Sequence, residues 1–103
     1  MLIEHRTYTI IPGKMGDFTK LYGGEPFQLQ RKIQGNLLGY FQTESGELSQ
    51  LINIWAYDSM EDRNRRRAEL AKEVVWQDYL KVCTQYISRM ENRFLTPTSF
   101  FSM

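Results

Sequence analysis

The chain has 103 residues, 42% of them hydrophobic and 24% charged, with thirteen basic side chains against twelve acidic ones and a formal net charge of +1. That is the size and balance of one globular domain, and it excludes a disordered or fibrous chain. It also lacks the basic excess of a nucleic-acid binder and any apolar run near the ~20 residues that span a bilayer, so neither partner is expected.

Leu2 to Ile11 alternates β-branched or aromatic residues with polar ones and stops at Pro12-Gly13, the pattern of a strand. Charges at Glu4 and Arg6 interrupt any signal-like apolar stretch, so a cytoplasmic location is expected. From Lys14 to Ile33 apolar residues recur at helical spacing, with Gly23-Gly24-Glu25-Pro26 breaking the run into two helical segments. Leu37 to Glu44 and Leu48 to Tyr57 read as two strands of a hairpin turning at Ser45-Gly46-Glu47. Asp58 and Ser59 offer capping side chains to a highly charged helix over Met60 to Glu73, in which Glu61/Arg65 and Asp62/Arg66 stand four apart. A further helical stretch follows over Gln77 to Cys83, and Tyr86 to Leu95 alternates again before Pro97.

Strand, helix, strand, strand, helix, strand is the split βαβ order of ferredoxin-like α+β folds. It predicts a four-stranded antiparallel sheet with its helices on one face. The third strand is apolar on both parities: Ile52, Ile54 and Ala56 alternate with Leu51, Trp55 and Tyr57. One helical layer buries only one of these sets, so the other is expected to pack against a second copy, giving a homodimeric α/β barrel.

Parity puts Asn53, Trp55 and Tyr57 on one face of the third strand, and Arg6 and Tyr8 on one face of the first. If both faces meet the helices, a cleft forms there, with Arg63 and Arg67 leaning over it from the charged helix. These seven residues are the ligand-binding candidates; their arginines and aromatic rings point to a small anionic or aromatic ligand. A buried Arg6 needs a partner: Glu4, Glu91 or a bound carboxylate. Each candidate also has a plain structural role open to it, with Trp55 and Tyr57 as core and the arginine run as a solvated surface. The methionines Met15, Met60 and Met90 read as core filler.

Other chemistry lacks its residues. His5 is the single histidine and has the opposite parity from Arg6, and no ligand cluster with metal spacing occurs. Cys83 is the single cysteine, so no internal disulfide forms, and no Gly-rich phosphate loop follows a strand. No cofactor is implied.

The stretch Leu48 to Ser59, ending Trp55-Ala56-Tyr57, with Arg63 and Arg65-Arg66-Arg67 after it, resembles the NIPSNAP family. Glu4-x-Arg6-x-Tyr8 with Pro12-Gly13-Lys14, Gly35-Asn36 to Gly39-Tyr40-Phe41, and Arg89 to Arg93 with Pro97 extend the resemblance over nearly the whole chain. It implies a dimeric α/β barrel and no particular reaction, because the family is defined by sequence. Where the family commonly has histidine two positions before the tryptophan, this chain has Asn53, which does not titrate near neutral pH. Related barrel families include cofactor-independent oxygenases, so an oxygenase-like enzyme acting on a small aromatic substrate is an alternative by fold analogy. A module that docks a protein partner through the arginine-rich helix is another.

Overall fold

The computed structural model describes all 103 residues, Met1–Met103. Its elements are β1 (Leu2–Ile10), α1 (Met15–Tyr22), α2 (Glu25–Gln34), β2 (Asn36–Gln42), β3 (Gln50–Tyr57), α3 (Met60–Ala71), α4 (Val74–Cys83) and β4 (Ile87–Leu95). The strands form one antiparallel sheet in the order β2-β3-β1-β4, the arrangement expected of a split βαβ pair. The molecule measures 19 Å along its shortest axis, the depth of one sheet plus one helical layer. No helix is long and apolar enough to cross a membrane.

The boundaries differ from the sequence reading chiefly in two places, and α3 ends at Ala71 where the reading carried it to Glu73. The hairpin strands stop at Gln42 and resume at Gln50, leaving a longer connection than the three-residue turn expected. Ser49 explains part of this: it sits at φ 62° and its hydroxyl donates to the Ile10 carbonyl oxygen, which ties the connection to β1 instead of extending the hairpin. The second difference is α4, which begins at Val74 and not at Gln77, because Glu73 is extended and the helical turn starts directly after it.

β1 lies at the centre, paired with β3 on one side and β4 on the other. Its even residues Glu4, Arg6, Tyr8 and Ile10 face the helices, as do Leu51, Asn53, Trp55 and Tyr57 of β3. Between sheet and helices sits a core built largely of rings: Phe18, Tyr22, Trp76 and Tyr79, with Ile10, Leu51, Leu70 and Cys83. Tyr79 lies 4.8 Å from Trp76 and 5.4 Å from Tyr22, centroid to centroid, within the range in which aromatic pairs attract. Met60 and Met90 are not core filler: they are 40% and 59% exposed.

The opposite face carries Ile3, His5, Thr7 and Thr9 of β1 against Ala56, Ile54, Ile52 and Gln50 of β3. No helix covers it. Phe41 of β2 lies on the same face with its ring folded over Gly39, where a Cβ would stand 2.5 Å from that ring.

α3 is nearly all polar, and its start is fixed by Ser59, whose hydroxyl oxygen accepts from the Asp62 backbone N–H at 3.1 Å. Asp62 then accepts from Arg65 and, at 3.0 Å, from Arg66. Arg66 also reaches across to the Ile33 carbonyl oxygen at the end of α2, passing over Gly35. Gly35 has φ +98°, and a Cβ there would lie 2.8 Å from the Arg66 guanidinium.

Candidate functional site

The residues that α3 turns toward the sheet are Arg63, Arg67 and Leu70, at the i, i+4, i+7 spacing that an amphipathic helix gives to apolar side chains. Two of the three are arginines. Their counterpart is Glu4, whose side chain is fully shielded from solvent on the central strand. Arg63 Nη2 donates to Glu4 Oε2 at 2.7 Å, Arg6 Nη1 donates to the same oxygen at 3.1 Å, and Asn92 Nδ2 donates to it at 3.0 Å. The Tyr57 hydroxyl donates to the other oxygen at 3.1 Å. Burial alone would push this carboxyl up, but the Arg63 hydrogen bond, the charges of Arg6 and Arg63 and the Asn92 amide outweigh it and hold it below the usual carboxylate range.

Arg6 is further oriented by donating from Nε to the Tyr8 hydroxyl oxygen at 2.9 Å. With Nη1 on Glu4 and Nε on Tyr8, its Nη2 is left free. Arg67 has neither a hydrogen bond nor an ion pair within the chain. Burial disfavours its charged form, Arg6 repels it, and its pKa falls below the ordinary arginine value. Two guanidiniums thus share one carboxylate, and a third stands nearby with no acid paired to it.

Arg6 and Arg67 border a partly open cavity of about 140 Å³ between the β1–β4 face and the helices. Tyr8 and Met90 form its floor, Gln30 one flank, and Trp76, Tyr79 and Cys83 the wall on α4. No carboxylate and no histidine lines it. Gln30 is fixed within a buried amide chain, accepting from the Tyr22 hydroxyl and donating to Gln34 Oε1 at 3.1 Å. The titratable groups of the wall are held neutral. Burial raises Tyr22 and Tyr79 above the ordinary phenol, and burial likewise pushes the Cys83 thiol up. No group of three or more His, Cys, Asp or Glu side chains capable of holding a metal comes together.

Of the seven candidates, the fold brings Arg6, Tyr8 and Arg67 to the cavity. Arg63 stands one step back, engaged with Glu4 and stacked 5.2 Å from the Phe94 ring centroid. Asn53, Trp55 and Tyr57 face the helices and are buried, but they stand on β3 and do not line the cavity. Trp55 Nε1 donates to Asn53 Oδ1 at 2.6 Å, while Asn53 Nδ2 has no partner in the chain. The partner of Arg6 is Glu4; Glu91 instead pairs with Arg89 on the uncovered face. Arg65 and Arg66, the residues of the docking alternative, both spend their guanidiniums on Asp62.

The α4 wall was absent from the sequence reading. Its signal was present in the spacing of Trp76, Tyr79 and Cys83, at i, i+3 and i+7 of one helix, but that spacing also describes ordinary core.

The chain matches the sequence profile of the NIPSNAP family over residues 3–102. It is 34% identical to a NipSnap homologue of Dictyostelium discoideum over 98 residues, which is 91% of this chain and 41% of that protein. The chain therefore spans about two fifths of the length of that relative. Among solved structures, a NIPSNAP family protein from Agrobacterium tumefaciens superposes with a TM-score of 0.92 at 43% identity, covering 97% of this chain and 88% of that one. An antibiotic biosynthesis monooxygenase superposes with a TM-score of 0.64 at 10% identity, over 95% of this chain and 99% of that one, a likeness of fold alone.

Proposed function

This chain belongs to the NIPSNAP family, and from that premise we propose that it is a dimeric binding protein. It holds a small organic anion with an apolar or aromatic body in the cleft between sheet and helices. The observation that carries this reading is the charge of the cleft: Arg6 and Arg67 border it, Glu4 is consumed by Arg6 and Arg63, and no acid lines the wall. An anion entering there gains charge-assisted hydrogen bonds from groups that are already buried and ordered. The dimer is supported by the uncovered sheet face, where Phe41, Ile52 and Ile54 lie side by side with no helix over them.

The enzyme reading has less support. A base is needed to start most cofactor-free chemistry, and the cleft's wall tyrosines and its thiol are all shifted toward their neutral forms. Docking through α3 has less support as well, because Arg65 and Arg66 are tied to Asp62.

Native mass spectrometry tests the proposal, using the purified protein titrated with a panel of small organic anions. The expected result is a dimer that takes up one anion per chain, with uptake lost in Arg6→Ala while the dimer persists. Uptake unchanged by Arg6→Ala, or no uptake from the whole panel, would remove the cleft from the account.

A further inference from the structure

The chemistry of the cavity narrows what fits inside it, an inference that rests on reading the cleft as a ligand site. We propose that the ligand is a small monocarboxylate whose body is a single six-membered ring or a branched hydrocarbon of that bulk. Its carboxylate lies on Arg67 and the free Nη2 of Arg6, and its body lies against Trp76, Tyr79 and Met90.

Charge sets the head group. The cluster holds three guanidiniums and one carboxylate, a surplus of two positive charges facing a cavity with no acid of its own. Arg67 presents its entire fork, and Arg6 adds one more N–H direction after its bonds to Glu4 and Tyr8. A planar carboxylate has two oxygens and about four lone-pair directions, which this set satisfies by a bidentate pair and one lateral bond. No glycine lines this cavity, so it lacks the backbone N–H cradle of a phosphate loop; guanidiniums pair with phosphate as well as with carboxylate, and phosphate probes separate the two.

Volume sets the body. The cavity is about 140 Å³, and an apolar cavity of about 150 Å³ accommodates one benzene ring. One ring fits within that volume, whereas two fused rings exceed it and extend past the exposed side chains of Leu80 and Met90 into solvent. The wall opposite the arginines is ring and thioether, surfaces that favour a flat or branched hydrocarbon over a sugar or polyol.

An unpaired guanidinium held partly out of water opposes folding of the empty protein. The same feature then gives the test two readouts of opposite sign. Intact protein is titrated by calorimetry with benzoate, benzyl alcohol, 2-naphthoate, phenyl phosphate and inorganic phosphate, and the Arg67→Gln variant is titrated in parallel. Benzoate should bind about tenfold or more tightly than benzyl alcohol or 2-naphthoate, and Arg67→Gln should weaken it at least tenfold. Without ligand, Arg67→Gln should melt at the same temperature as the parent or higher, which separates a binding role from a structural one. Should Arg67→Gln fail to fold, Met90→Trp, which fills the cavity from the floor, must abolish benzoate binding in its place. Binding of either phosphate in preference to benzoate, lost in Arg67→Gln, would overturn the carboxylate class and leave the anion cleft standing. No binding of any anion would overturn both.

Discussion

Arg63 and Glu4, fifty-nine residues apart in the chain, meet at 2.7 Å across the boundary between helix and sheet, with the carboxylate fully buried. Removing one partner of a buried pair leaves the other charge uncompensated. Glu4→Gln strips Arg6 and Arg63 of their shared acid, and should lower stability by roughly 3 kcal/mol, at the low end of the range for broken buried pairs. Arg63→Ala should cost less, about 1–2 kcal/mol, because Arg6 and Asn92 still satisfy the carboxylate. Urea titrations check both, as shifts in midpoint at constant slope.

The same carboxyl makes stability depend on acid. Its folded pKa is held below the unfolded value, so the folded state binds the proton more weakly than the unfolded chain. The stabilisation is complete well above an ordinary glutamate pKa of about 4.3 and is lost as pH falls through that value toward the folded one. Melting temperatures between pH 7 and pH 3 should therefore fall mainly below about pH 4.3, and Glu4→Gln should remove that part of the decline. An acid profile identical in the two proteins would assign it elsewhere.

Asn53→Ala should destabilise by about 1–3 kcal/mol, the usual cost of leaving a buried donor without its acceptor, here Trp55 Nε1. Since Asn53 stands on β3 and does not line the cavity, benzoate affinity should change less than threefold in the folded variant. Calorimetry and a urea titration on one preparation read both quantities.

Ile54→Lys places a charge at the middle of the uncovered sheet face and leaves the helical side untouched. Size-exclusion chromatography with light scattering should show the parent as a dimer and the variant as a monomer. A monomeric parent would end the two-copy account of that face.

The order of elements was legible because each carries its own signal: alternation over β1, the double glycine between α1 and α2, Ser59 ahead of α3. Face assignment was legible too, since period two places Arg6 with Tyr8 and Asn53 with Trp55 whatever the tertiary structure. What parity alone did not decide is which strands the cavity overlies. Asn53, Trp55 and Tyr57 share the cavity's side of the sheet yet do not line it, because they stand on β3 while the cavity draws its strand residues from β1 and β4. Nor did local spacing assign Glu4 to Arg63, a pairing that exists only once α3 docks across β1. The sign of something unusual was in the chain all the same: arginines at 63 and 67 occupy the register where a covering helix ordinarily places leucine.

The central place of β1 has a consequence for how this domain is made. β1 is translated early, yet its neighbours come late: Arg6 pairs with Asn53 on one side and with Asn92 on the other. Until the final strand has left the ribosome, Ile3, Thr7 and Tyr8 have only one edge satisfied, and the floor of the arginine cleft lacks Met90. Such a long sequence separation between first and last strand slows folding and denies the nascent chain a stable half-product. The growing polypeptide therefore has no complete cleft, and any help that a bound anion gives to folding begins only once β4 has paired with β1.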